Sequence, residues 1–225
     1  MNNFLKYILS LLCSAAVLMG LSGCTAKGSE EPHPAVLYDL VDVASDNGSA
    51  VFNLYRPDSD TPIVLEAPGR SLGEIEQGTT LVIAYIPASG VPYQSGEIAL
   101  RSATKINNLD LSIAKDQDAL NGWDDDPVEI HSIWRGGHKI YMRIGLSYSA
   151  EPRKLALVAD PATKEDPIPT LYLYNSRPDN SPNFVRTYYL AVDITSLWSR
   201  PDLRGLRVIA NNSLNPSAST FLFEK

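Results

Sequence analysis

From Ala35 onward the chain is a succession of short β-forming runs cut by clusters of turn residues, which fixes the fold class as all-β. Val36–Val43, Ala50–Tyr55, Ile63–Glu66, Thr80–Ile86 and Gly96–Ile106 read as five strands. Between them stand Ser45-Asp46-Asn47-Gly48, Arg56-Pro57-Asp58, Ala67-Pro68-Gly69 and the stretch from Pro87 to Pro92. Gly, Pro, Asn and Asp supply the backbone angles that tight turns need. The β-branched and aromatic residues of Thr79-Thr80-Leu81-Val82-Ile83-Ala84-Tyr85 suit a pleated, half-buried surface. Five short strands in one run predict a small closed barrel of the OB kind. On such a barrel Tyr85 could stack a ligand, but an aromatic there is more often core or edge packing.

A second β-rich segment follows Pro127. Val128–Trp134 and His138–Leu146 flank Arg135-Gly136-Gly137, a hairpin signal. A two-residue Gly136-Gly137 turn would pair Arg135 with His138. Val128, Ile130 and Trp134 would then face away from Ile140, Met142 and Ile144. A three-residue loop pairs Trp134 with His138 and gathers all six on one face, so the apolar pattern predicts the longer loop. Lys154–Ala159, Thr170–Asn175, Val185–Ile194, Leu206–Asn211 and Thr220–Glu224 read as further strands. Phe184, Tyr188, Leu190, Val192 and Ile194 share a face there, with Arg186 the exception, and Ser196 to Ser199 form one helical turn. These strands, joined by Pro- and Asn-rich turns, predict a β-sandwich. The expected order is an OB-like barrel over residues 35–115, an acidic linker over 116–126 and a β-sandwich over 127–225.

The N-terminus carries an address. Met1 to Lys6 is a short segment with one positive charge, and Tyr7 to Met19 is almost wholly apolar. That run is signal-peptide length, and Gly20, Ser22 and Gly23 interrupt it before it reaches the ~20 apolar residues of a spanning helix. Leu21-Ser22-Gly23-Cys24 resembles a bacterial lipobox. Residues 1–23 are then a signal peptide and 24–34 a tether. Cys24 is the lipidation site, since only its thiol can form the thioether to diacylglycerol. Two or three chains on Cys24 would hold the protein on a membrane through its N-terminal lipid, where one chain holds only marginally. Thr25 stands where an inner-membrane retention signal would place Asp, so the expected location is the outer membrane, on its periplasmic face or at the cell surface. Lys27-Gly28-Ser29-Glu30-Glu31 looks either like an acidic export tag or like an ordinary solvated tether.

Composition narrows the function further. The sequence has 225 residues, and 44% hydrophobic content is that of a globular chain. Of its two Cys residues, Cys13 leaves with the signal peptide and Cys24 takes lipid, so stability has to come from an apolar core rather than disulfides. The net charge is −7, which argues against nucleic-acid binding, where cations must neutralise phosphate. Negative charge gathers in the first half and in Asp116, Asp118, Asp124, Asp125 and Asp126, while the segment after Pro127 is net positive. Asp116-Gln117-Asp118-Ala119-Leu120-Asn121-Gly122 imitates a calcium loop, but Leu120 stands where a ligand is needed and Gly122 comes one place late. His131 and His138 would point to opposite faces of the hairpin and His33 lies in the tether, so zinc is not expected. No Gly-x-Ser-x-Gly elbow, phosphate loop, His-Glu-x-x-His or dinucleotide fingerprint is present. No cofactor and no enzyme activity are expected.

The lipobox, the OB-like first half, the crossing Asp124-Asp125-Asp126-Pro127-Val128-Glu129-Ile130 and the Gly-Gly hairpin together resemble the NigD-like lipoproteins of Bacteroidetes. The resemblance implies an N-terminal OB domain and a C-terminal β-sandwich. It supplies no agreed catalytic residues, and the family's bacteriocin association implies a role in toxin export, immunity or surface interaction. The leading expectation is a non-catalytic envelope lipoprotein that binds a partner protein or acts as its accessory module. One alternative is a glycan-binding lipoprotein that stacks sugar on Trp123, Trp134, Trp198 or its tyrosines. Another is a hydrolase using carboxylates such as Glu151, Glu165 and Asp166. The candidate interaction residues are Arg135, Lys139, Tyr141 and Arg143, with the linker Asp residues expected to lie against that basic face. Oligomeric state is not legible.

Overall fold

A computed structural model describes residues 35–109, 111–178 and 184–225. Cys24, the expected signal peptide and the expected tether lie outside the described residues. Strands β1 (Leu37–Asp46), β2 (Ala50–Leu54), β3 (Ile63–Ala67), β4 (Thr80–Pro87) and β5 (Gly96–Lys105) close into a barrel of order β1-β2-β3-β5-β4. Period-two alternation fills it. Val41, Val43, Phe52, Leu54, Leu65, Leu81, Ile83 and Tyr85 point inward and are buried. Tyr85 is thus a core residue, and its hydroxyl donates to Asp39 at 2.9 Å.

The rest of the chain forms two sheets. One holds β6 (Asn107–Leu109), β8 (Glu129–Gly136), β9 (Lys139–Ser147) and β12 (Val185–Asp193), in the order β6-β12-β9-β8. The other holds β7 (Leu111–Ile113), β10 (Lys154–Ala159), β11 (Thr170–Ser176), β13 (Gly205–Ala210) and β14 (Thr220–Glu224), in the order β14-β13-β11-β10-β7. Their inner faces meet over Ile140, Met142, Ile144, Leu157, Leu171, Leu190, Val192, Leu206 and Val208, one apolar core. Helical turns α1 (Gln117–Leu120) and α2 (Thr195–Trp198) complete the elements.

Three features depart from the sequence expectation. The sandwich sheets draw on the chain from Asn107, because β6 pairs parallel with β12 and β7 pairs parallel with β10. Only Ile106, itself buried, separates the end of β5 from β6. The hairpin turn is the two-residue Gly137-His138, with Gly136 opposite Lys139. A bulge between Ile130 and Ser132 then switches faces. Val128 and Ile130 still meet Ile140, Met142 and Ile144 in the core, while Trp134 turns to the outer face and pairs with Tyr141. Phe184 is outside the core and stacks on Tyr148, with ring centroids 4.6 Å apart.

Candidate functional site: a cleft beside the barrel–sandwich junction

Two strands carry the junction. On β1, Tyr38, Leu40 and Asp42 share the outward face of the barrel, and across β4 they stand opposite Ala84, Val82 and Thr80. On β9, Lys139, Tyr141 and Arg143 share the outward face of the sandwich. Three rows cross that sheet: Gly136–Lys139–Asp193, Trp134–Tyr141–Ala191 and Ser132–Arg143–Tyr189. The middle row meets Leu40, Val82 and Ile106 in an apolar cluster. The first row makes a polar latch, and the third opens into a cleft.

The latch is built on Asp42, which accepts from Thr80 Oγ1 at 2.6 Å, Lys139 Nζ at 3.0 Å and the Tyr141 hydroxyl at 3.0 Å. Lys139 also donates to the Gly78 carbonyl and to Thr80 Oγ1. Burial, followed by the Asp42 carboxylate, pushes the Tyr141 phenol well above its ordinary range. Arg135, only 2% exposed, pairs with Asp60 at 2.5 Å, donates to the Gly137 carbonyl and lies over the Trp198 ring. The barrel loop after β2 is stitched to the hairpin tip by backbone bonds from Asp58 N to the Arg135 carbonyl and from Gly137 N to the Ser59 carbonyl. Tyr55 lies across the two glycines. A Cβ on Gly136 would stand 2.5 Å from Tyr55 Cβ, and one on Gly137 would stand 2.9 Å from the Tyr55 ring. The Gly-Gly pair therefore permits the barrel to approach as well as the chain to turn.

The basic residues singled out in the sequence divide accordingly. Arg135, Lys139 and Tyr141 are consumed in the latch, and Arg143 alone reaches the cleft. Their acidic partners are Asp42 and Asp60 of the barrel, not the linker carboxylates. Asp116 caps α1 by accepting from Ala119 N. Asp124 accepts from the Ser176 hydroxyl, and Asp126 accepts from the backbone of Arg177. The linker runs along the β11 side of the sandwich, whereas the hairpin tip faces the barrel loop, so the two charge groups never meet.

The cleft encloses about 350 Å³ and is lined by Tyr38, Asp39, Arg56, Tyr93, Trp134, Arg143 and Tyr189 among others. Tyr38 is 72% exposed, Tyr93 43% and Tyr189 39%. Tyr93 sits in the β4–β5 loop with φ +58°, a left-handed conformation that a bulky side chain seldom takes without a reason. Its ring underlies the Arg56 guanidinium, 4.4 Å from the centroid. Trp134 is stacked on Tyr141 at 5.5 Å, which fixes its plane from behind. Asp39 is the single carboxylate of the cleft. Burial raises its pKa above the ordinary carboxylate value, against the Tyr85 hydroxyl and Arg56, which lower it. Sequence reasoning picked out Arg143 and Trp134 and offered the tyrosines only collectively, without singling out Tyr38, Tyr93 or Tyr189; it missed Asp39 and Arg56. Only the turn position of Arg56 and the loop position of Tyr93 hinted at exposure.

This fold has known counterparts. A protein of unknown function from Bacteroides vulgatus aligns with TM-score 0.65 at 17% identity, over 85% of this chain and 91% of its own. A NigD-like immunity protein from Bacteroides caccae aligns with TM-score 0.57 at 16% identity, over 84% and 92%. A candidate lipoprotein from Bacteroides fragilis aligns with TM-score 0.55 at 14% identity, over 84% and 95%. The chain shares the all-β fold of these Bacteroidetes proteins. No family model and no curated protein matches the sequence.

Proposed function

We propose that the chain is a NigD-like, lipid-anchored envelope protein of the outer membrane and acts as a non-catalytic binding or accessory module. The cleft beside its junction is the binding site. The observation that carries this reading is the cleft itself, with exposed aromatic faces and two arginines beside a junction whose own cations, Arg135 and Lys139, are ion-paired. A glycoside-cleaving pair needs two carboxylates facing each other across the bond. Asp39 stands alone and accepts from Tyr85. The fold shared with a candidate lipoprotein and with a NigD-like immunity protein supports the envelope role. A partner protein remains a second reading, favoured by the exposed Phe184 and Val185 beside Tyr148. Between the two, a concave site with aromatic faces beside polar groups favours a saccharide.

Two experiments test the reading. Cys24→Ala should abolish incorporation of labelled palmitate and release the protein from the membrane fraction; unchanged partitioning and mass would refute the anchor. The full-length protein in detergent should retain oligosaccharides on a printed glycan array, and Tyr38→Ala with Tyr93→Ala should abolish that retention. Retention indifferent to both substitutions would move the binding site elsewhere.

A further inference from the structure

We propose that the cleft takes a carboxylated saccharide, with sugar ring faces laid on Tyr38, Tyr93 and Tyr189 and the carboxylate met by Arg56 and Arg143. The inference rests on the reading of the cleft as the binding site and names the class of its ligand.

Charge separates this site from the rest of the molecule. The chain is net −7, yet the cleft presents two guanidinium groups against one carboxylate. Among the described residues neither Arg56 nor Arg143 forms an ion pair, whereas Arg135 and Lys139 of the latch both do. Both cleft arginines are exposed: Arg56 lies over the Tyr93 ring, and Arg143 stands on β9 between its cross-strand neighbours Ser132 and Tyr189. A planar guanidinium fork matches a carboxylate bidentately and gives charge-assisted bonds stronger than neutral ones. Asp39 opposes an anion, but two guanidinium groups against this one carboxylate leave the cleft net positive.

Shape points to a sugar rather than to a peptide. The volume lies within the ordinary range of small-molecule sites. Tyrosine offers a flat apolar face with a polar rim, which suits a pyranose that is apolar on its faces and hydroxylated at its edge. An extended peptide would need an unpaired strand edge to hydrogen-bond. Of the strands that floor the cleft, β9 is paired on both sides, while β1 pairs with β4 there and with β2 only over Asp42–Asp46, so the preference for a sugar rests on the aromatic faces.

The test is calorimetric titration of the full-length protein in detergent with tri-galacturonate, neutral galactotriose, hexaglutamate and a short single-stranded oligonucleotide. Tri-galacturonate should bind at least about tenfold more tightly than galactotriose, the step expected of one charge-assisted contact. Arg56→Gln and Arg143→Gln should each weaken tri-galacturonate by about tenfold and galactotriose by much less. Tyr93→Ala should weaken both sugars, and Asp39→Asn should strengthen tri-galacturonate only. Thermal unfolding midpoints of the Arg variants should match wild type, since both side chains are exposed. Equal binding of the two sugars, sensitive to Tyr93→Ala, would overturn the carboxylate claim and keep the cleft as a site. Tighter binding of hexaglutamate or the oligonucleotide would overturn the saccharide claim. Absence of any binding at about 10 mM, weaker than specific sites normally are, would overturn both readings.

Discussion

The contact of Tyr55 with Gly136 and Gly137 yields a sharp test of how the barrel is seated. Substituting Gly137 by Ala imposes two separable costs. The backbone is at φ +54°, where a Cβ costs about 1 kcal/mol. The new Cβ also meets Tyr55 Cε1 and Cζ at 2.9 Å, so the ring must move, and such overpacking costs about 1–3 kcal/mol. Gly137→Ala should therefore destabilise by about 2–4 kcal/mol. In a Tyr55→Ala background the ring is gone, and the same substitution should cost only about 1 kcal/mol. Gly136→Ala behaves differently. Its Cβ would stand 2.5 Å from Tyr55 Cβ, an atom that Tyr55→Ala retains. That substitution should cost about 2–3 kcal/mol in either background. The assay is urea denaturation of the six proteins, with the coupling read as a double-mutant cycle. A coupling of at least about 1 kcal/mol for Gly137 and under about 0.5 kcal/mol for Gly136 is expected. The close-approach argument fails if Gly137→Ala costs the same with and without Tyr55, or if Gly136→Ala is neutral.

Asp42→Ala should cost about 3–5 kcal/mol by leaving Lys139 charged and unpaired in the junction, and adding Lys139→Met should recover a large part; a second loss in place of recovery would count against the latch. The radius of gyration from small-angle scattering should not change with salt, because the bonds that orient the barrel are largely sheltered from it; growth with added salt would mean that they are not. Asp39 keeps its proton more tightly in the folded state than in the unfolded chain. Its contribution to stability is therefore fully present below the usual carboxylate pKa and is lost as pH rises through the raised one. Asp39→Asn should remove that part of the acid-range slope in denaturation midpoints, and an unchanged slope would refute the assignment.

The long strands were legible where they alternate for four or more residues between turn clusters, as in Ala50–Leu54 and Thr170–Ser176. Strands β6 and β7 were not. Asn107-Asn108-Leu109 and Leu111-Ser112-Ile113 are too short to show a period, and their partners lie far along the chain. The hairpin register failed for a related reason. A bulge at His131 reverses the alternation midway, and no local signal marks it. The bulge also sets the fate of the basic residues, since it turns Trp134 outward and Arg135 toward Trp198. The cleft was invisible as a unit because its lining is drawn from β1, the end of β2 and the loop after it, β4, the β4–β5 loop and the β8–β9–β12 sheet, segments far apart in the sequence.

Tyr38, the most exposed of the cleft aromatics, is the second residue of β1, and this sets a leash on the whole site. With Cys24 acylated as proposed, thirteen residue steps separate the lipid from the first residue of β1, and a fully extended chain covers them in about 45 Å at most. The mouth of the cleft then never leaves a shell of roughly that depth above the bilayer. A ligand fixed in the same envelope meets it in two dimensions rather than three. Weak single-site affinity is sufficient there, because neighbouring anchored copies engage one polymer together and the local concentration of sites replaces tightness at each.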